Sequence, residues 1–472
     1  MTWADTDYGY KKKITIDHTK VAGDETDFPV LVSVTDADLA DTSNGGHVEN
    51  SNGYDIVFYN DDEDTLLKHE IESYTNTDGT LVFWVKVKSL SSTVDTDIYI
   101  YYGKADVVVN PSSTETWDNQ HVVVQHMYDE TTSTILDSTS NNNDGTKKGV
   151  NEPIEANGKI DKGQYFDGTN DVIDCGNDTS LHASPFTLSL WFKTDDVTLP
   201  AQRIAGVGNY GSKNGMFLTL ASDDLAGYIF DGTLTNHQIT ISNEIVDDTW
   251  YYATLTYDKD RAGDDFRIYL NGVERTTGNK DVDIDYGTIP LKIGYTDSWY
   301  FKGMIDEVRI SNTARSANWI STMYESENAP DTFMSWDAEE VFIETSIYEN
   351  SFTMQSDTYT IYITNPEWRG LDGQITKNIA LFDFWSEDFS TVDKGIDSRD
   401  RHLQGVESVI NDISDTVEKI WSMQNNKEEV TITRLGETIN GVYIIESFDF
   451  KTIKGTNAAY SWSINLKFVR DV

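Results

Sequence analysis

The chain has 472 residues, which is too long for one ordinary hydrophobic core and indicates about three domains. Its 80 acidic and 36 basic residues give a net charge of −44, which disfavours duplex DNA and anionic membranes as general partners, because both are bound mainly through Lys and Arg. The 12 Trp, 25 Tyr and 19 Phe supply enough buriable surface for a folded protein.

The acidic residues are spread along the whole chain. Evenly distributed carboxylates keep a surface soluble in concentrated salt, where screening removes their repulsion, so the composition favours a halophilic source. Lys outnumbers Arg, which is not the usual halophilic preference. The alternative is an acidic extracellular protein.

Apolar residues alternate with polar ones from the first segments onward, for example over residues 12–16, 81–87 and 97–102. Turn signals such as Asn52-Gly53 and Asn271-Gly272 separate these runs. The pattern predicts a mainly β protein built from antiparallel sheets. The single cysteine, Cys175, excludes an intrachain disulfide and is expected to be buried.

One helix is predicted, over residues 406–423. Its apolar residues recur at steps of three and four, as an amphipathic helix requires: Val406, Ile410, Ile413, Val417, Ile420 and Trp421. Changes of rhythm predict three domains, with boundaries at 1–110, 111–335 and 336–472. The expected fold is two β-sandwich or jelly-roll domains followed by a β-rich domain with one amphipathic helix.

The first residues contain no basic and apolar signal segment, and no later stretch approaches about 18 uninterrupted apolar residues. We therefore expect a chain that is neither exported by a secretory signal nor inserted in a membrane.

Two regions resemble known families. Residues 8–105, with Asp55-Ile56-Val57-Phe58 and Ile98-Tyr99-Ile100-Tyr101-Tyr102-Gly103, resemble a small β-sandwich domain of unknown function from archaeal and bacterial surface proteins. Residues 117–335, with Phe186-Thr187-Leu188-Ser189-Leu190-Trp191-Phe192 and Gly303-Met304-Ile305-Asp306-Glu307-Val308-Arg309-Ile310, resemble a laminin-G-like jelly roll of the concanavalin A-like class. The resemblance implies adhesive or glycan-facing modules rather than enzymes.

Aromatic residues divide into two groups. Trp191, Trp250 and Tyr269 lie in strand-like runs and are interpreted as core residues. Tyr210, Trp299, Tyr300 and Phe301 lie in predicted loops, where an aromatic face can pack on the C–H face of a pyranose. Packing at the rim of the fold is the alternative for this second group.

A calcium site is implied by the laminin-G-like resemblance. The loop from Asp137 to Asp144 offers many oxygen donors, and the resemblance adds the acidic residue at position 306, so the predicted ligands are Asp137, Asn142, Asp144 and Asp306. The alternative is a loop whose side chains cap their own backbone.

Motifs for catalysis are weak. Residues 206–211 satisfy a dinucleotide-type glycine pattern, but a strand-like run follows where a helix is needed. A retaining glycosidase needs two carboxyls about 5–5.5 Å apart, whereas the adjacent Asp306 and Glu307 are expected to point to opposite faces of a strand. We predict that the chain is not an enzyme, with a glycan-degrading enzyme as a remaining alternative.

The region after residue 336 resembles, in pattern only, the tail and baseplate domains of tailed viruses. Because surface-protein domains lie on a chain without a secretory signal, we expect a virion tail or baseplate protein of a haloarchaeal virus. It would bind a host glycan or glycoprotein through its adhesive domains and other virion proteins, or further copies of itself, through its C-terminal domain. The alternative is a cellular surface adhesin or carbohydrate-binding protein.

Overall fold

The computed structural model describes residues 3–342, apart from 130–132, 149–151, 234 and 297. Beyond residue 342 it describes the backbone of eight strands. The chain divides into two compact units, Met1–Phe342 and Ile343–Val472. Both are built mainly from β-strands, as the sequence predicts. No helix among the described residues is long and apolar enough to span a membrane.

The first seven strands form the two sheets of an N-terminal sandwich, because alternate residues point into the space between them. Its strands are β1 (Tyr10–Ile16), β2 (Glu25–Thr35), β3 (Val57–Tyr59), β4 (Leu66–Leu67), β5 (His69–Thr75), β6 (Thr80–Leu90) and β7 (Thr96–Tyr102). One sheet has the antiparallel order β2-β6-β5, and the other contains β1-β7-β3-β4.

The next eighteen strands belong to a jelly roll: β8 (His121–Gln125), β9 (Thr134–Ile135), β10 (Gly145–Lys148), β11 (Ile154–Asn157), β12 (Lys162–Asp167), β13 (Val172–Asp174), β14 (Phe186–Thr194), β15 (Gln202–Asn209), β16 (Asn214–Ala221), β17 (Asp224–Asp231), β18 (His237–Ile241), β19 (Tyr251–Tyr257), β20 (Phe266–Leu270), β21 (Val273–Gly278), β22 (Leu291–Ile293), β23 (Tyr295–Thr296), β24 (Trp299–Tyr300) and β25 (Lys302–Ser311). Two sheets of eight strands pack face to face, and β23 pairs with β24 alone.

We call the sheet of order β18-β17-β16-β15-β22-β13-β10-β9 the outer sheet. The interface sheet has the order β11-β12-β25-β14-β19-β20-β21, with β8 paired to β25. Between the two sheets lies a continuous apolar core, in which Leu188 and Leu190 of β14 pack with Val207, Met216 and other residues of the outer sheet.

The other face of the interface sheet packs on the N-terminal sandwich. Trp191 and Tyr269, predicted as core residues, are each 1% exposed and share one hydrophobic cluster with Phe28 and Val30 of β2. Trp250 is half-buried against the same cluster. The two sandwiches therefore share a core.

Two helices and two strands lead the chain back to the N-terminal sandwich: α1 (Ala317–Asn328), α2 (Pro330–Phe333), β26 (Met334–Trp336) and β27 (Glu340–Val341). The Ser316 side chain accepts a hydrogen bond from Trp319 N and caps α1. Both β26 and β27 pair with β1, so residues far apart in sequence complete the first sheet. The boundary predicted at residue 335 falls inside β26, whereas the compact unit ends at residue 342.

The C-terminal unit contains eight strands: β28 (Phe352–Gln355), β29 (Thr360–Thr364), β30 (Ile379–Leu381), β31 (Phe384–Asp393), β32 (Arg401–Val409), β33 (Glu429–Arg434), β34 (Glu437–Thr452) and β35 (Tyr460–Arg470). They close into an antiparallel barrel of order β28-β29-β30-β31-β32-β35-β34-β33.

The helix predicted over 406–423 is wrong at its start. Val406 belongs to β32, which pairs with β31 on one side and β35 on the other. Pairing on both sides at Val406 and Glu407, and with β31 at Val409, fixes these residues as strand despite their helix-like spacing. Residues 410–423 lie outside the described residues.

Candidate functional site

The outer sheet has one face that does not meet the jelly-roll core. Ile204, Met216 and Ile229 point into the core, so their alternating neighbours point away from it. We call this the outer face and define it by Arg203, Phe217, Thr219, Tyr228, Phe230, Gln238, Thr240 and Lys292. On β15–β18 and β22, all of them described, the outward positions carry one carboxylate, Asp224, at the start of β17.

Aromatic rings cover the middle of the outer face. Phe217 stacks on Tyr228 with ring centroids 5.1 Å apart and contacts Phe230 at 5.7 Å. Phe217 lies opposite Gly206 of β15, where a Cβ atom would fall 2.3 Å from Phe217 Cβ. Glycine is required there because any side chain would displace the ring. Gly206, in the glycine pattern at 206–211, thus makes room for the Phe217 ring between two paired strands. The pattern lies in a strand and not before a helix, as a dinucleotide site would require.

Two basic residues lie among these rings. The Arg203 guanidinium is 4.6 Å from the Phe217 centroid, and its Nη1 donates to Thr219 Oγ1 at 2.6 Å. Lys213 Nζ lies 3.4 Å from the Tyr210 centroid, a cation–π distance. The Tyr210 ring in turn contacts Tyr228, at 5.8 Å between centroids. The predicted stacking residue Tyr210 therefore borders the outer face.

The side-chain amide of Asn236 connects Tyr210 and Lys213. Asn236 Nδ2 donates to the Tyr210 hydroxyl at 2.9 Å, and Lys213 Nζ donates to Asn236 Oδ1 at 2.7 Å. The hydrogen bond from Asn236, followed by the charge of Lys213, lowers the pKa of Tyr210. Tyr228, Gln238 and the other members of this group are partly exposed, so they can contact a ligand.

A second aromatic group lies at the other end of β15. Tyr295 and Tyr300 of the β23–β24 hairpin stack at 4.5 Å, and Lys292 Nζ lies 4.9 Å from the Tyr295 centroid. Trp299 is 40% exposed, as its predicted role requires. The N–H of Gly294, just before the hairpin, donates to Ile204 O near the start of β15. Tyr210 lies just after the other end of this strand. Six residues of strand, about 20 Å, separate the two groups.

The prediction that Phe301 stacks on a sugar is wrong. Its side chain has no exposed surface and packs edge to face on Phe166 and Phe192 in the jelly-roll core. Phe301 follows the exposed β24 and its N–H bonds to Gly294 O, which turns the ring inward. Of the four aromatic candidates, Tyr210, Trp299 and Tyr300 keep exposed surface.

The four predicted calcium ligands do not converge. Asp137 Oδ1 accepts from the N–H groups of Val124 and Thr139, and its Oδ2 accepts from Asn143 N. Asp144 Oδ1 accepts from Asp137 N, at 2.8 Å.

Asn142 Nδ2 donates to Ser140 O, and the Asp306 carboxylate accepts from the backbone of Lys159 and Ile160. Three described clusters bring three potential ligands within 4.8 Å, and none contains Asp137, Asp144 or Asp306: Asp17/His18/Asp95, Asp38/His47/Glu339 and Glu72/His126/Glu307. The geometry favours the capping alternative for Asp137, and calcium stays a prediction.

Asp306 and Glu307 do not point to opposite faces, which corrects the sequence expectation. Ser189 pairs with Arg309 and Trp191 pairs with Asp306, so β25 carries an extra residue in a bulge. Glu307 has a φ of 51°, and both carboxylates have no exposed surface. Because Ile305 and Val308 face the jelly-roll core, both carboxylates between them face the N-terminal sandwich.

Glu307 belongs to a buried polar network between the two sandwiches. His126 Nδ1 donates to Glu307 Oε1 at 2.8 Å and lies 3.4 Å from Glu72 Oε2. Arg309 pairs with Glu307 and Glu327. The guanidinium of Arg309 also lies 4.4 Å from the Trp84 centroid, which belongs to the N-terminal sandwich.

The network shifts several pKa values. Burial raises the pKa of Glu72 to about 8. Burial opposes the charge of His126, but Glu307, Glu72 and Glu70 outweigh it and raise the pKa of His126 well above its usual value. For Glu307, the cations His126 and Arg309 overcome burial and lower the pKa. These groups join the sandwiches and are closed to a substrate, because the side chains of Glu72, His126 and Glu307 are at most 8% exposed.

Comparison with known proteins gives two family matches. Residues 167–321 match the concanavalin A-like lectin/glucanases superfamily, Laminin_G_3. Residues 52–144 match a domain of unknown function, DUF2341. No curated protein matches this chain in sequence.

The structural comparison also returns solved structures with low similarity to this chain. Domain 4 of AbnA, a GH43 extracellular arabinanase from Geobacillus stearothermophilus in complex with arabinotriose, is 22% identical, with a TM-score of 0.36 over 43% of this chain and 98% of that one. The botulinum neurotoxin serotype D binding domain is 12% identical, with a TM-score of 0.36 over 76% and 98% of the two chains. The binding domain of botulinum neurotoxin DC, in complex with rat synaptotagmin II, is 11% identical, with a TM-score of 0.32 over 75% and 95%. The chain thus contains a region, residues 167–321, that matches a concanavalin A-like family model, and before it a region, residues 52–144, that matches DUF2341.

Proposed function

We propose that Met1–Phe342 is a glycan-binding module without catalytic activity, and that the outer face of the jelly roll is its binding surface. The observation that carries this proposal is the group formed by Tyr210, Tyr228 and Gln238. These partly exposed rings and amide lie together on a sheet face that is almost free of carboxylates.

The chemistry of this group suits a sugar. A pyranose presents an apolar C–H face that can pack on an aromatic ring, while its hydroxyls need hydrogen-bond partners. Tyr228 offers the ring, and Gln238 on the adjacent strand lies directly opposite it. Gln238 Nε2 donates to Thr240 Oγ1 at 2.9 Å, which orients the amide. A ligand along the face could extend from Tyr210 toward the β23–β24 hairpin.

Binding without turnover is supported by the placement of the acids. A glycosidase requires two carboxyls flanking the scissile bond. At the outward positions of β15–β18 and β22, all described, the one carboxylate is Asp224, at the start of its strand, and its Oδ1 accepts from Asn243 N. The buried pair Asp306 and Glu307 lies on the interface sheet, away from this face.

The test is to apply the full-length chain to an array of surface glycans from archaea and bacteria. We expect saturable binding to a subset of glycans, which the double variant Tyr210→Ala/Tyr228→Ala loses while its circular dichroism is unchanged. Binding that the double variant retains would contradict the proposed surface. A reducing-sugar assay on the same glycans should detect no product, and turnover would contradict the non-catalytic role.

The place of the module in a virion remains a proposal, with Ile343–Val472 as the attachment part. The separation of the chain into two compact units supports a division of labour. The described strands of this unit close into a barrel, in which each strand is paired on both sides. Mass spectrometry of purified virions against cell envelopes would separate a tail protein from the alternative, a cellular adhesin.

A further inference from the structure

The outer face differs in charge from the rest of the chain. Acidic residues exceed basic ones by 44 overall, yet the outward positions of β15–β18 and β22 include Arg203 and Lys292 and one carboxylate. Lys213 lies beside them, in the turn that joins β15 to β16. Arg203 is buried, whereas Lys213 and Lys292 are partly exposed. A cation on a polyanionic surface is expected to attract a carboxylate of the same chain, so the neighbours of these two lysines are informative.

Lys213 carries an uncompensated charge at the edge of the site. Its Nζ donates to the neutral amide of Asn236 and lies over the ring of Tyr210. Within the described part of the chain no ion pair joins Lys213 to a carboxylate. Its Nζ also lies 5.2 Å from the Phe230 centroid, so the charge is held beside the Tyr210 ring, which in turn contacts Tyr228 at 5.8 Å between centroids.

The nearby carboxylates have other partners. Asp231 accepts from Thr233 N and lies 3.3 Å from His237 Nε2. Asp285 accepts from Asn214 Nδ2, at 2.9 Å. Farther along the face, Lys148 Nζ lies 2.6 Å from Asp174, beside Lys292. The uncompensated cation closest to the rings is thus Lys213.

We propose that the outer face selects glycans that carry a negative charge, such as a uronate, sialate or sulfate, and that Lys213 recognises this charge. This inference rests on the proposed glycan-binding function and names its ligand class. The sugar ring packs on Tyr228, and the anionic substituent approaches Lys213 Nζ, where a charge-assisted hydrogen bond replaces part of its hydration. Long-range repulsion by the chain is screened in salt, whereas this short contact persists better.

The test uses matched pairs of glycans that differ only in charge: oligogalacturonate and its methyl ester, sialylated and desialylated lactose, and a sulfated glycan and its desulfated form. Full-length protein, Lys213→Gln and the control Lys88→Gln are titrated against each pair. Lys88 is an exposed lysine of the N-terminal sandwich, remote in sequence from the outer sheet.

We expect the charged member of at least one pair to bind the unaltered protein about tenfold more tightly than its neutral partner. Lys213→Gln should reduce the charged member to the neutral level, and Lys88→Gln should not. Equal binding of charged and neutral members, or equal effects of the two substitutions, would overturn the charge selectivity while leaving glycan binding in place. Failure of every glycan to bind would instead overturn the proposed function, and this inference with it.

Discussion

The Glu72 carboxylate of the N-terminal sandwich lies 3.4 Å from Nδ1 of His126 in the jelly roll, with the two side chains 2% and 8% exposed. Both residues lie within 52–144, the range that matches DUF2341, whereas Glu307, which His126 also contacts, lies within 167–321, the range that matches the concanavalin A-like model. Around it, Arg309 lies against Trp84 and pairs with Glu307. The N-terminal sandwich and the jelly roll are therefore connected by a buried charged network in addition to their shared apolar core.

The contribution of the Glu72 and His126 pair to stability should fall as pH rises from about 5 to 8. The folded pKa of Glu72 is raised to about 8 and that of His126 is raised well above its usual value. Both groups hold protons in the folded state that the unfolded chain releases, from about pH 4.5 for Glu72 and about 6.5 for His126. For each proton that the folded state holds and the unfolded chain has released, the free energy of unfolding falls by at most about 1.4 kcal/mol for each unit that the pH rises.

Urea denaturation at pH 5 to 9 measures the free energy of unfolding of the unaltered protein, of Glu72→Gln and of Glu152→Gln, which is a control at an exposed position. Glu72→Gln should gain stability relative to the unaltered protein as pH rises. Parallel pH profiles for the unaltered protein and Glu72→Gln would contradict the assignment.

Arg309→Met should destabilise the protein by about 3–5 kcal/mol, because it leaves Glu327 buried without its cation and Glu307 with His126 alone. Arg267→Met is the matched control, since Arg267 pairs with Glu274 near the surface, and its loss should cost less than about 1 kcal/mol. Chemical denaturation measures both values. A loss for Arg309→Met no larger than for the control would mean that the network contributes little.

Asp137→Ala should cost about 2–4 kcal/mol, because it removes the acceptor for the N–H groups of Val124, Thr139 and Asn143. Asp144→Ala, which removes the acceptor for one N–H group, should cost less. The same denaturation curves, recorded in excess calcium and in chelator, test the predicted metal. A midpoint that rises with calcium only when Asp137 is present would support calcium, and identical midpoints in both solutions would exclude it as a stabilising ligand.

Salt should stabilise the fold if the net charge of −44 reflects adaptation to brine. Unscreened carboxylates repel each other more in the compact state than in the unfolded one, and the Debye length falls to about 3 Å at 1 M. We expect the denaturation midpoint to rise between about 0.1 and 3 M KCl. A neutral osmolyte at equal osmolality is the control, and a midpoint that is flat or falls with salt would refute the halophilic interpretation.

The sequence predicted strands well because their alternation is local. Leu188, Leu190 and Phe192 face one way and Trp191 the other, as period two requires. Local patterns could not show the bulge at Glu307, since an extra residue in a ladder depends on the neighbouring strand. The same holds for Val406, whose helix-like spacing yields to pairing with two distant strands.

The candidate site was found only in part. Tyr210 was identified because it lies in a turn-like segment, whereas Phe301 looked similar in sequence and is buried. Tyr228, Gln238 and Lys213 were missed, because their meeting depends on the order of the strands in the outer sheet. A usable signal was present in Gly206 and Gly208, since two glycines in a strand indicate that a bulky ring lies across it.

Calorimetric titration of Tyr228 variants against the tightest-binding array glycan tests most directly whether the outer face binds sugar. Tyr228→Ala should weaken binding about tenfold, because the sugar loses the ring on which it packs, while Tyr228→Phe should retain most of the affinity. Tyr54→Ala, at a partly exposed tyrosine of the N-terminal sandwich, should bind as the unaltered protein does. Unchanged affinity for Tyr228→Ala, or an equal loss for Tyr54→Ala, would contradict the account.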